Sequence, residues 1–288
     1  MSDRRVTRAR QWWRGGIALA LLICGSEAAF PMQARGAAAG PPPLVFAGSG
    51  TNLPLTRLLV EGFLRTRRDV QIQVPTSIGS NAAIPAVTDG AIALGLLSRP
   101  IRDAELALGL KAVPYARTVI VIGTHEGVRD EAITGQELVQ IYRKARTRWQ
   151  DGREIVVLTR QPWDSSLEVL NQEVPGFEEA YAESQRLKRW TVLYTDQDMN
   201  RTLAKTPSAI GLTDLGAIVV ERLPIKALRV DGVPATLEQA AGGRYRLVKR
   251  LTFVYKDPLP QAVKAFLGFV RSPEGEQILR ANAYLPGG

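Results

Sequence analysis

Apolar and polar positions alternate between two periods along the chain, and the alternation predicts a succession of short strands and helices. Leu44–Ala47 reads as a buried strand broken by Gly48-Ser49-Gly50. A helix follows with Leu55, Leu58, Leu59 and Phe63 on one face. Val70, Ile72 and Val74 alternate as a second strand into Pro75, a loop Thr76–Asn81 leads to a helix around Ala82–Thr88, and Ala91–Leu97 forms a third strand. Strand, helix, strand, helix, strand in that order implies a parallel sheet with helices on its faces. Further strands are expected at Val119–Ile122, Glu154–Thr159, Ile210–Leu212, Ala217–Val220 and Tyr245–Tyr255. Helices are expected at Gly135–Lys144, after Leu167, and at Pro260–Arg271 and Pro273–Ala281. No repeat with a period of about 20–50 residues is apparent.

The amino end follows a different rule. Arg4, Arg5, Arg8, Arg10 and Arg14 precede an apolar run from Ile17 to Cys24, and small residues follow at Ser26–Ala29 and Ala34–Gly40. That order matches a secretory signal peptide over residues 1–36. The run is far short of the ~20 apolar residues that a spanning helix needs. The Arg4–Arg5 pair lacks the Phe-Leu of a twin-arginine signal, and Ile23 is not the small residue that a lipid-attachment cysteine at Cys24 wants before it, so lipid anchoring is disfavoured. Residues 37–43, ending in Gly40-Pro41-Pro42-Pro43, form a low-complexity spacer. The mature fold is expected to begin at Leu44.

Composition narrows the chemistry. The 288 residues carry a formal net charge of +9, of which +4 belongs to residues 1–36, with six arginines against Asp3 and Glu27. A moderate positive balance attracts anions without indicating nucleic acid. There is one histidine, His125, and one cysteine, Cys24. Neither a Cys/His zinc cluster nor an internal disulfide can be built from these. No cofactor is expected, and the inventory leans towards binding rather than catalysis.

Three loops share one plan of strand end, hydroxyl-rich turn and helix start: Gly48-Ser49-Gly50-Thr51-Asn52, Ser77-Ile78-Gly79-Ser80-Asn81 and Arg160-Gln161-Pro162-Trp163-Asp164-Ser165-Ser166. A helix start carries unpaired N–H groups and the positive end of the helix dipole. In an open parallel sheet such starts lie at the carboxyl ends of the strands, where ligands bind. Three of them converging would hold an oxyanion, with Arg160 as a planar donor. Each loop taken singly is also an ordinary helix cap. The Gly-Ser-Gly turn lacks the Gly-Lys-Ser/Thr of a P-loop, and Ser165 lacks the flanking glycines of a hydrolase nucleophile. His125 and the acidic pair Asp196 and Asp198 have no evident partners in the sequence, and the basic run Arg143–Arg148 beside Trp149 reads as a solvated helix end.

With these loops, the order of Asp89-Gly90-Ala91-Ile92-Ala93, Ser98-Arg99-Pro100-Ile101, Pro207-Ser208-Ala209-Ile210-Gly211, Asp231-Gly232-Val233-Pro234 and Gly243-Arg244-Tyr245-Arg246-Leu247 resembles the phosphate-type substrate-binding proteins of ABC transporters, in the periplasmic-binding-protein superfamily. The resemblance covers the chain after Leu44. It implies an α/β fold of two lobes, each a sheet flanked by helices, joined by crossing strands. Lobe one would hold residues 44–117 and 255–288, and lobe two, with the hinge strands, 118–254. It also implies a periplasmic or otherwise secreted monomer that holds phosphate, or a similar oxyanion such as sulfate, molybdate or tungstate, and delivers it to a membrane permease. A cargo-less sensor or adaptor on the same fold, and a phosphatase-like enzyme, are the competing readings.

Carried onto this sequence, the family's ligand residues fall on Thr51, Ser80, Arg160, Ser165 and Ser166, and Asn52, Asn81, Ser98 and Asp164 complete the expected ligand-binding set. The family's acidic proton acceptor falls on Ser98, with Arg99 next to it, and its Ser-Gly-Thr loop reads Asp164-Ser165-Ser166 here. Asp164 is therefore either a substitute acceptor for the proton of hydrogen phosphate or a helix cap. Arg99 is either a second anion ligand or a lobe-edge charge.

Overall fold

The computed structural model describes residues 42–287. The signal peptide expected over residues 1–36, Cys24 and most of the spacer lie outside them. Twelve strands and eleven α-helices follow one another in the order β1 (Leu44–Gly48), α1 (Leu53–Thr66), β2 (Ile72–Gln73), α2 (Gly79–Thr88), β3 (Leu94–Leu97), α3 (Asp103–Leu106), β4 (Leu110–His125), β5 (Ala132–Ile133), α4 (Gly135–Tyr142), β6 (Val156–Arg160), α5 (Ser165–Glu173) and α6 (Phe177–Arg186). The chain continues through β7 (Thr191–Leu193), α7 (Asp196–Lys205), β8 (Ala209–Asp214), α8 (Leu215–Glu221), β9 (Ile225–Ala227), β10 (Arg229–Val230), α9 (Leu237–Ala241), β11 (Val248–Lys256), α10 (Gln261–Val270), α11 (Pro273–Ala281) and β12 (Leu285–Pro286).

The strands of the main sheet lie in the order β2-β1-β3-β11-β4-β8-β6-β7. Its two flanks are parallel, β1 with β2 and β3 at one end and β6 with β7 and β8 at the other. Its middle is not. The long strands β4 and β11 run antiparallel to each other from Val248–Val119 to Lys256–Leu110, with a register shift between Leu251 and Thr252. The parallel arrangement predicted for the strands of Leu44–Leu97 is present in β2-β1-β3, while the sheet as a whole is mixed. Local alternation marks a strand but carries no information on the direction of a partner a hundred residues away.

Two apolar cores lie on either side of this antiparallel pair. One gathers Phe46, Leu53, Leu59, Leu94, Leu96, Tyr115, Leu251, Phe253 and Phe266. The other gathers Val119–Ile122, Ile141, Leu167, Leu170, Phe177, Ile210 and Leu212. β4 contributes to both, as a strand crossing between two lobes must. Each flank thus repeats a parallel sheet with helices on it, and the starts of α2, α5 and α7 face the region between the flanks.

Several elements differ from their expected form. Ala217–Val220, expected as a strand, lies within helix α8, where Gly216 packs against the Tyr284 ring. A short apolar run suits either structure. The strand expected over Val70–Val74 pairs only at Ile72 and Gln73. Helices α6 and α7 are not anticipated at all, because apolar residues are sparse in them, although those present share one face. Met199 and Leu203 nevertheless bury one face of α7 against Leu158, Ala209 and Ile225.

Gly48 links fold to site. Its φ of +155° and the closeness of β3, with an added Cβ only 2.7 Å from the Leu96 nitrogen, leave room for glycine alone. A Gly48→Ala variant is expected to lose about 1–3 kcal/mol of stability in urea unfolding. An unchanged midpoint would show that this turn relaxes freely.

Candidate functional site

A cleft of about 300 Å³ opens between the two flanks. Its walls come from Ser49–Thr51 after β1, Ser77–Ala82 at the start of α2, Ser98 and Arg99 after β3, Arg160–Ser165 between β6 and α5, and Tyr194–Asp196 at the start of α7. All three loops picked out in the sequence reach it. A fourth helix start, α7, joins them, capped by Thr195 accepting from the Asp198 amide.

Ser98 is the centre of a hydroxyl cluster built from four chain segments. Its Oγ accepts from Ser49 Oγ at 2.8 Å and lies 2.7 Å from Ser165 Oγ and 3.4 Å from Ser80 Oγ. Its amide also donates to Ser80 Oγ at 3.2 Å. Hydroxyls are both donors and acceptors and can rotate, so such a cluster can turn its hydrogens towards an acceptor placed in the cleft.

Arg160 closes the other side and is buried. Its Nε donates to Asp164 Oδ2 at 2.8 Å, Nη2 lies 2.8 Å from the same oxygen, and Nη1 donates to the Leu193 carbonyl at 3.1 Å. One N–H remains on each terminal nitrogen, and Asp196 Oδ2 lies 3.6 Å from Nη2. Burial lowers the affinity of the guanidinium for its proton, but Asp196 and Asp164 more than reverse this and hold its pKa above its ordinary value.

Asp164 has both oxygens engaged. Oδ1 accepts from the Ser166 amide at 2.9 Å, capping α5, while Oδ2 takes the guanidinium. Burial pushes its carboxyl up, yet the Arg160 and Lys249 charges bring it below the usual carboxylate range. Of the two roles open to it, the geometry displays the cap and the ion pair.

Asn52 does not line the cleft. Its Nδ2 donates to the Leu97 carbonyl at 3.2 Å and to Tyr115 Oη at 3.0 Å, inside the first core. Asn81 lines the cleft and accepts from Arg99 Nη2 at 2.9 Å. Arg99 is neither an exposed edge charge nor a free anion donor. It is buried and grips Glu105 through two bonds of 2.9 and 2.7 Å. Ser166 sits behind the cleft wall, and Trp163 stands 59% exposed at the mouth beside Tyr194 at 66%.

Two charged groups, Lys249 and Asp214, are missed by the sequence reading, and a third, Asp196, is named there without a role. Lys249 on β11 is fully buried, with Nζ 2.8 Å from Thr51 Oγ1, 3.0 Å from Ser166 Oγ and 3.0 Å from Asp214 Oδ1. Burial alone would strip its proton, but Asp214, Asp196 and Asp164 hold it on and raise its pKa. Burial pushes the Asp214 carboxyl above its ordinary value, with the Lys249 ammonium opposing that. Asp196 accepts from Thr51 Oγ1 at 3.3 Å. A Cβ at Gly50 would run into the Asp196 carboxylate. A signal for Lys249 was present: with Leu247 and Leu251 it shares the inward face of a period-two pattern, where a lysine must find partners. For Asp196 and Asp214 no local signal exists.

Two buried cations therefore meet three carboxylates, Asp164, Asp196 and Asp214. Any anion affinity must come from directed donors rather than from net positive charge. Among the described residues no group of three or more His, Cys, Asp or Glu side chains could hold a metal ion, and no helix is long and apolar enough to cross a membrane.

Residues 33–274 match the family model of the PBP superfamily domain. The chain belongs to that superfamily. The phosphate-binding protein PstS of Pseudomonas aeruginosa is 24% identical over 99% of this chain and 95% of its own length. Phosphate-binding protein PstS 2 of Streptococcus agalactiae is 31% identical over 97 residues, which span 33% of this chain and only 32% of that relative. A crystal structure of a candidate phosphate ABC transporter substrate-binding protein with bound phosphate, from Clostridium perfringens, superposes with a TM-score of 0.76 at 24% identity, covering 86% of this chain and all of the other. The fold is thus the two-lobed α/β architecture of these binding proteins.

Removing one partner of a buried ion pair typically costs ~3–5 kcal/mol, and Asp164→Ala is expected to fall near the lower end of that range. The pH dependence has a definite sign. A depressed carboxyl stabilises the fold fully above the unfolded value of ~3.9 and loses that contribution as pH falls through the lower folded value. The stability gap between the native chain and Asp164→Asn should hold near pH 7 and shrink below about pH 4. Chemical unfolding at several pH values measures it, and a gap constant down to pH 2.5 would contradict the assignment.

Proposed function

We propose that the protein is an extracytoplasmic receptor that holds a tetrahedral oxyanion, phosphate first, in the cleft and passes it to a membrane permease of an ABC transporter. The convergence of Thr51, Ser80, Ser98, Arg160 and Ser165 from separate segments on one cleft carries this reading. Hydroxyls, helix starts and the two remaining N–H bonds of Arg160 form a set of donors suited to a compact ligand rich in acceptors. The kinship to phosphate-binding proteins supports the same cargo, and the signal-peptide pattern of residues 1–36 supports export. The cleft is read as a site of binding, without chemistry.

The lobes are placed at residues 44–117 with 255–288, and at 118–254, so that β4 and β11 form the crossing. Within the site, Asp196 replaces Asp164 as acceptor for the proton of hydrogen phosphate. Both oxygens of Asp164 are taken, whereas Asp196 is partly exposed in the cleft, with only a long 3.3 Å bond from Thr51 and the 3.6 Å contact with Arg160. A carboxylate there would also repel sulfate, which brings two charges and no proton.

Calorimetry of the mature chain with phosphate, sulfate, molybdate and tungstate tests the reading. Saturable phosphate binding is expected, weakened about 10–100-fold by Arg160→Ala, the loss of a charged hydrogen bond. Asp196→Asn should narrow the preference for phosphate over sulfate. Absence of heat and of thermal shift with all four anions would end the proposal.

A further inference from the structure

Lys249 lies behind the cleft wall and touches three elements that are distant in sequence. Its ammonium has three N–H bonds and no lone pair. Thr51 Oγ1 at 2.8 Å, Ser166 Oγ at 3.0 Å and Asp214 Oδ1 at 3.0 Å occupy its surroundings. An ammonium cannot accept, so each hydroxyl that faces it is fixed as the acceptor of that contact and must turn its own hydrogen elsewhere. For Thr51 the alternatives are Asp196 Oδ1, 3.3 Å away, the buried Asp214 carboxylate, and the interior of the cleft that Thr51 lines. Ser166 and Asp214 hold the ammonium from the start of α5 and the end of β8, so it cannot follow a rotation of the threonine.

We infer that Lys249 is a positioning residue of the site: by donating to Thr51 Oγ1 it takes one lone pair of that hydroxyl and frees its hydrogen for an acceptor, which an oxyanion oxygen in the cleft supplies. The inference rests on the anion-receptor reading. It goes beyond it by naming a group that touches no ligand and acts through the direction of one O–H bond. A long bond to Asp196 is a weak competitor for that hydrogen, and an oxyanion oxygen at ordinary distance would displace it. The ammonium thus sets the direction of one donor without placing a free positive charge in the cleft.

The test is a set of variants on an Asp214→Asn background, which avoids leaving a buried carboxylate unpaired when the lysine is removed. Inorganic phosphate is the probe and calorimetry the readout, with thermal melts beside it. Relative to Asp214→Asn alone, adding Lys249→Met should weaken phosphate binding about tenfold, the scale of one directed hydrogen bond. Adding Lys249→Gln, which keeps N–H donors without the charge, should stay within about threefold of that reference. Adding Thr51→Val should weaken binding about as much as Lys249→Met, and combining the two should cost little more than either.

Equal losses with Met and Gln would show that charge matters instead of the directed donor, and would overturn the inference. Additive losses for Lys249→Met and Thr51→Val would overturn it as well. If the Met variant fails to melt cooperatively, the Gln and Val variants carry the comparison: loss with Gln at the scale of Val overturns the proposal, and retention with Gln supports it. A native chain that binds none of the four oxyanions overturns the receptor reading and this inference together, a result distinct from a native chain that binds while its variants do not discriminate.

Discussion

A lysine ammonium inside a protein must either lose its proton or find an oxygen for each of its N–H bonds. At Lys249 the protein supplies two hydroxyl acceptors, from the start of α5 and the loop after β1, and the Asp214 carboxylate at the end of β8 as counter-charge. The strand that carries the lysine is one of the two that run between the apolar cores. The same residue therefore sits on a strand shared by both cores and behind the cleft wall. Much of the local order follows from it: the positions of Thr51 and Ser166, the burial of Asp214, and the charge that helps keep Asp164 ionised.

The wider arrangement is one of matched charge and directed dipoles. Arg160 is held by Asp164 and approached by Asp196, and Arg99 is spent on Glu105. Little unbalanced positive charge is left to attract an anion indiscriminately. What faces the cleft is a set of hydroxyls and helix starts, held in place by these pairs. Sites of this kind bind by geometry, since each donor is useful only at the distance and angle of a hydrogen bond. The paired charges act mainly as a frame: breaking one would leave its partner buried and alone, which is costly enough to keep both in position.

Helix α7 shows how the frame and the site depend on each other. Its apolar face, Met199 and Leu203, is packed beneath β6 and β8, and that packing delivers Thr195 and Asp196 to the cleft wall. Gln197 on the same helix donates to the Gly50 carbonyl at 3.3 Å, tying it to the loop opposite. Arg102 and Glu168 make a second tie at 3.0 Å, exposed to solvent and so weaker. Trp163 and Tyr194 flank the opening, where their aromatic faces are exposed.

The strands and helices that carry strong apolar periodicity were legible in the amino-acid order, among them β1, α1, β3, α10 and α11. So were the three loops after β1, before α2 and after β6, because glycines and hydroxyls at a strand-to-helix turn are a local chemical pattern. Local pattern left Asp164 open between a proton acceptor and a cap, and its contacts display the cap. It failed at α7, whose composition is too polar to announce a buried face, and at Ala217–Val220, where an apolar run fits helix and strand alike. It misplaced Asn52, whose side chain turns into the core to reach Tyr115. The amino-acid order by itself determined which segments end in donors. Only the tertiary structure decided which donors share a cleft, which carboxylates stand against them, and that Lys249 lies beneath. Those facts depend on contacts across as many as 198 positions of sequence, and no local rule of spacing encodes the distance between residues brought together by the packing of two cores.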